Sequence, residues 1–138
     1  MRSKLNAGLR PLLGTAGVLV GMLVAPAAAQ GPELAMLDGL RDGGWDIRIR
    51  GEDGRGSRIC LRTGRELIQI RHRAQVCSRF VVEDTPGEVT VHYSCPGSGY
   101  GQTTIRRESA QLVQISTQGV EGRSPFNFDA EGRYAGSC

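Results

Sequence analysis

Cys60, Cys77, Cys95 and Cys138 are the only four cysteines of a 138-residue chain, and they stand 17, 18 and 43 residues apart. These spacings exclude most uses of sulfur. Structural zinc sites take close pairs, C-x₂₋₄-C, so that one turn supplies two ligands. Thiol redox centres use C-x-x-C. Neither pattern occurs. An even number of widely spaced cysteines in an exported chain reads instead as two disulfides. Three connectivities are possible. The pairing Cys60–Cys77 with Cys95–Cys138 is expected, because the first pair brackets one local excursion and the second ties the chain end back to the body. No metal or other cofactor is expected.

The disulfide reading needs an oxidising compartment, and the start of the chain points to one. Arg2, Lys4 and Arg10 precede a run of 13 apolar or small residues over 12–24, and Ala27-Ala28-Ala29 follows. A basic start, a short apolar run and small-x-small spacing make a secretory signal peptide over 1–29, cleaved before Gln30. The run is short against the roughly 20 residues that span a bilayer. The expected location is periplasmic or secreted, with no transmembrane segment after cleavage and one domain over 30–138.

Cleavage changes the charge. Residues 1–29 carry three of the 17 basic side chains and none of the 14 acidic ones, which leaves 14 of each. A neutral domain lacks the net basic surface that nucleic-acid binding requires. The charge is also unevenly placed. Arg58, Arg62, Arg65, Arg71, Arg73 and Arg79 stand against Glu66 alone, while both flanking stretches are net acidic. Arg62, Arg65, Arg71 and Arg73 form the candidate binding patch, suited to an anionic envelope partner such as a wall polymer, a lipid phosphate or an acidic protein. Pairing of these arginines with the acidic flanks is the plainer reading.

Strand signals fill most of the remainder. Residues 45–50 alternate apolar and polar. Residues 57–61, 80–82, 89–93, 103–107, 112–117 and 126–130 read as further strands, the pair 103–107 and 112–117 as a hairpin. Leu34, Leu37 and Leu40 predict a short helix over 33–41. Thr63-Gly64-Arg65-Glu66 fits a capping box and predicts a second helix, against the strand-like alternation of Ile68-Gln69-Ile70. The fold class is mainly β: a single antiparallel meander sheet, curled or a partial barrel, with one or two short helices and two disulfides.

Gly44-Trp45, Cys60-Leu61-Arg62-Thr63, Cys77, residues 89–95 with the following Gly-rich loop, and the terminal Gly136-Ser137-Cys138 recur in one order. In that order the chain resembles the small exported proteins grouped as domain of unknown function three-six-one-seven. The resemblance spans residues 43–138 and implies an exported β domain. It supplies no catalytic residues.

Catalytic signals are thin. His72 lies between two arginines, which disfavours a divalent metal. His92 falls on the polar side of its strand. No G-x-S-x-G elbow occurs. Gly97-Ser98-Gly99-Tyr100-Gly101 lacks the strand–helix frame of a phosphate loop. Trp45, Tyr93 and Phe126 line either a pocket or the core. The expected function is a non-enzymatic binding or interaction module of the cell envelope, the alternative an envelope-acting enzyme or inhibitor.

Overall fold

The computed structural model describes residues 33–52 and 56–138. The signal-peptide expectation for 1–29 lies outside them. Seven strands form one antiparallel sheet: β1 Gly43–Ile49, β2 Gly56–Leu61, β3 Ser78–Asp84, β4 Glu88–Cys95, β5 Gly99–Ser109, β6 Leu112–Glu121 and β7 Ser124–Tyr134. Their order is β2-β1-β7-β6-β5-β4-β3. Strands β3 to β7 are a continuous meander. The β1–β2 hairpin docks on its far side, Ile47 opposite Gly132. The sheet is open, with β2 and β3 as its edges.

Alternation sorts the side chains to two faces. Trp45 and Ile47 of β1, Val89, Val91 and Tyr93 of β4, Ile105 of β5 and Val113 and Ile115 of β6 point inward and are buried. Tyr93 fits because Gly101 lies opposite it on β5, where a Cβ would stand 2.5 Å from the phenol oxygen. The expected mainly-β sheet is the fold observed.

The chain leaves β2 at one edge and re-enters at β3 on the other. The connection 62–77 therefore crosses the inner face as a strap. Leu67, Ile68, Gln69 and His72 of this strap are buried beneath or within it. The expected helix here is replaced by two 3-10 turns, Arg65–Leu67 and Ile70–His72. One half of the capping box forms: Glu66 accepts from the backbone N–H of Arg62 (3.1 Å) and Thr63 (3.4 Å), while the Thr63 hydroxyl accepts from the Arg65 N–H rather than that of Glu66. What stops the helix is the sheet. The Ile68 carbonyl, which in an α-helix would accept from residue 72, accepts instead from the Thr103 hydroxyl at 2.6 Å. The His72 N–H turns to Gln69 (2.8 Å). Gly64 opens the turn with φ +73°, and a Cβ there would meet the Leu37 carbonyl at 2.6 Å.

The predicted helix over 33–41 shortens to one turn, α1 Ala35–Asp38. Its Leu34, Leu37 and Leu40 all enter the core as the spacing predicts. Gly39 and a bond from the Arg41 N–H to the Ala110 carbonyl end it.

The disulfides join Cys60 to Cys138 and Cys77 to Cys95. The expected pairing is overturned, and the strap explains why. Cys60 and Cys77 flank its two ends, which sit at opposite edges of the sheet. Cys138 reaches Cys60 because the tail follows β1: Gly44 N–H donates to Gly136 (2.7 Å) and Ala135 N–H to Gly44 (2.8 Å). Cys77 and Cys95 lie at adjacent ends of β3 and β4.

Peptide mapping without reductant is expected to recover Cys60 with Cys138 and Cys77 with Cys95. A Cys60–Cys77 peptide would contradict the strap. On the chain-entropy model the separations of 78 and 18 residues give losses of about 4.5 and about 3 kcal/mol for the two double Cys→Ala variants. Urea unfolding measures both.

Candidate functional site: an arginine-rimmed groove

The strap does not fill the inner face completely. Between its second 3-10 turn, the end of β1 and the start of β7 lies a groove of about 770 Å³. That size falls within the range of small-molecule sites. Its apolar walls are Ile47 and Ile49 from β1, Ile70 from the strap, and Phe126 and Phe128 from β7; Glu52, Ser57 and Asn127 also line it. The aromatic pair stands with ring centroids 6.1 Å apart. Ile49, Ile70, Phe126 and Phe128 are half-buried, so the floor is reachable from solvent. These residues sit at inward positions of their elements; they stay partly open because the strap narrows to a turn there.

Arg71 and Arg73 stand on the rim. Arg71 is held by Glu121 at 2.6 Å and lies 5.7 Å from the Phe126 ring centroid. Its charge is half answered and its plane is pinned over the aromatic wall. Arg73 has no ion-pair partner among the described residues. It also lines a second hollow of about 510 Å³, on the other side of the strap, together with Arg58, Arg65, Arg79 and Glu66. This hollow is lined by β2, the strap and the Arg79 side chain of β3.

The four arginines of the candidate patch thus part company. Arg71 and Arg73 reach the groove. Arg65 turns away to Asp38 of α1 (2.5 Å). Arg62 lines neither hollow and stays exposed. Pairing with the acidic flanks holds for Arg65 and Arg71. Arg58 and Arg79 belong to the same basic run but were outside the patch. Arg58 donates to the carbonyls of Ala135 (2.8 Å) and Ser137 (3.3 Å). Arg79 donates to buried Gln69 at 2.9 Å. Gln69 in turn donates to the carbonyls of His72 and Gln75, each at 2.9 Å. One buried amide therefore positions both the strap's exit and a rim guanidinium.

The four cysteines serve as cross-links, and none is free. Trp45 and Tyr93 are core; Phe126 is the one of the three aromatic candidates that lines the groove. The Ile70 and Phe128 contributions were hidden in sequence. Ile70 read as a helix or strand position, and Phe128 as an ordinary inward residue. Gly97-Ser98-Gly99-Tyr100-Gly101 makes a tight turn into β5, with Ser98 N–H donating to Cys95 (2.9 Å).

No protein-family model, curated protein or solved structure matches the chain. The site must therefore be judged on its chemistry. His72 is buried, with Nδ1 3.2 Å from the Tyr93 hydroxyl and Nε2 3.1 Å from the Ser98 carbonyl. A carbonyl only accepts, so Nε2 carries a proton; in the neutral ring Nδ1 then accepts from Tyr93. Both nitrogens are engaged in holding the strap to the sheet. Burial pushes the Tyr93 phenol up from its ordinary value, against a smaller opposing pull from Arg71. Hydrogen bonding from Arg65 lowers the Asp38 carboxyl, and hydrogen bonding from Arg133 lowers Glu131.

These shifts set two pH limits. A raised phenol contributes stability below its unfolded value of about 10, and that contribution is lost as pH rises through the folded value. The lowered carboxyls contribute above about pH 4, and lose it as pH falls through their folded values. Tyr93→Phe is expected to cost about 1–3 kcal/mol at pH 7, because it leaves the His72 acceptor unpaired. It is also expected to reduce the alkaline loss of melting temperature relative to the parent. An unchanged alkaline limb would show that Tyr93 does not control it.

Proposed function

We propose that the chain is an exported, non-enzymatic binding module of the cell envelope, and that its groove holds an amphipathic anion. An apolar chain lies along Ile49, Ile70, Phe126 and Phe128, and a carboxylate or phosphate head sits at Arg73 beside Arg71. The observation that carries this reading is the meeting of the two chemistries. A half-open apolar wall and a rim guanidinium without an ion-pair partner among the described residues share one hollow. An apolar wall open to water is costly for a small domain to keep, at about 25 cal/mol per Å². A bound apolar chain removes that cost.

The location rests on independent support. Two disulfides are compatible with an extracytoplasmic protein. Among the described residues no helix is long and apolar enough to cross a membrane. The leader-like residues 1–29 and the likeness to the exported four-cysteine family point the same way. The non-enzymatic reading is supported by His72, whose two ring nitrogens are committed to the fold. His92 stands on the outer face, away from the groove.

Dodecyl phosphate and dodecanol separate the two parts of the site when titrated calorimetrically. The phosphate is expected to bind the parent more tightly than the alcohol. Arg73→Gln is expected to weaken the phosphate by about ten- to a hundredfold and leave the alcohol unchanged, since one lost charge-assisted contact is worth about 1.5–3 kcal/mol. Phe128→Ala is expected to weaken both. Absence of binding by either compound, or an Arg73→Gln variant equal to the parent toward the phosphate, would overturn the assignment.

A further inference from the structure

The opposite face of the sheet has a composition of its own. Cross-strand register places Phe80, His92, Gln102, Gln118 and Asn127 in one straight row over β3, β4, β5, β6 and β7. All five are exposed. The next row is Ser78, Ser94, Tyr100, Val120 and Pro125, and the row on the other side runs Glu83, Thr90, Thr104, Ser116 and Asp129. A chain that is 22% charged thus carries charge at only two corners of this field, Glu83 and Asp129.

Side-chain hydrogen bonds form at some positions around the row. Thr90 and Thr104 bond to each other at 2.9 Å, and Gln114 nearby reaches Glu131 at 3.5 Å. The side chains of His92, Gln102, Gln118 and Asn127 make no hydrogen bond within the protein among the described residues. They stand free beside exposed aromatic rings. Phe80 is 69% and Tyr100 49% exposed, and the Tyr100 ring lies 6.2 Å from that of His92. His92, Tyr100, Gln102, Gln118 and Asn127 together line a shallow depression of about 380 Å³.

From this we infer that the outer face binds a neutral oligosaccharide along the row from Phe80 to Asn127. Each sugar hydroxyl both donates and accepts, and an uncharged amide or imidazole does the same. The C–H faces of a pyranose pack on aromatic rings, which Phe80 and Tyr100 offer at the β3–β5 end of the field. Strands are about 4.8 Å apart, close to the length of one pyranose unit, so successive units meet successive side chains. An anionic polymer is disfavoured by the absence of a cation in the field and by the two corner carboxylates. The depression and the groove meet at Phe126 and Asn127, but Phe80, His92, Tyr100, Gln102 and Gln118 lie outside the groove, so failure here would leave the groove assignment untouched.

Chitotetraose and maltotetraose are the probes. Each is titrated to about 10 mM into ¹⁵N-labelled protein, a range that detects millimolar binding. Amide shifts are expected at residues 78–82, 92, 100–102, 118–120 and 127 with at least one of them. The double variant Gln102→Ala, Gln118→Ala is expected to weaken that binding by at least about tenfold with an unchanged melting temperature. Tyr100→Ala is expected to weaken it as well. Raising NaCl from about 50 to about 500 mM is expected to change the affinity by less than about twofold, because no charge is engaged. No shift with either sugar, shifts confined to the Arg71–Arg73 groove, or a strong loss with salt would overturn the inference. So would movement of the same amides with protein concentration in the absence of sugar, which would make this face a contact between copies.

Discussion

The strap over residues 62–77 is held at both ends by sulfur, and most of the molecule follows from that. An open sheet with an apolar face cannot stand in water by itself. The strap covers that face diagonally, from the β2 edge to the β3 edge. Cys60 and Cys77 stop its ends from drifting by binding to Cys138 and Cys95. Between the anchors it is pinned by polar contacts inside the core: Thr103 to the Ile68 carbonyl, Tyr93 and Ser98 to His72, Arg79 to Gln69. Each of these contacts satisfies a buried polar group that would otherwise cost about 1–3 kcal/mol. The strap is therefore both the lid of the core and the wall of the groove. The arginines reach the groove because they sit on the strap's outward corners.

Much of the strand pattern was legible in sequence, because alternation reports burial on one face and needs no knowledge of neighbours. Ile47, Val89, Val91, Ile105, Val113 and Ile115 all lie inward as their phase requires. The strap was not legible. Glu66 reaches back to the Thr63 N–H as in a capping box, and locally a helix was the sound expectation. The deciding group is the Thr103 hydroxyl, which competes for the Ile68 carbonyl from 35 residues away. No local pattern carries that contact.

The disulfide pairing failed for a related reason. Loop length ranks a short excursion such as 60–77 first, yet that segment has to cross the sheet. Only the strand order, with β1 between β2 and β7, brings the tail beside Cys60. Strand order depends on non-local docking. Of the candidate patch, Arg71 and Arg73 reach the groove, while Arg65 is drawn off by Asp38 and Arg62 stands apart. A run of like charge marked the strap segment that borders the groove; which members converge depended on turns whose phase a capping box misjudged. The outer row from Phe80 to Asn127 was invisible as a unit because its members come from five strands.

The strand order also implies a sequence of events during folding. Strands β3 to β6 pair only with chain neighbours, β7 pairs with β6 and also with the distant β1, and Cys77–Cys95 closes within the first of these hairpins. Such local contacts form early, since little loop-closure entropy opposes them. The β1–β2 hairpin must then find β7. The groove takes one wall from β1, one from β7 and one from the strap. It is thus incomplete until the β1–β2 hairpin has docked on β7, and its occupancy would report that this step is finished.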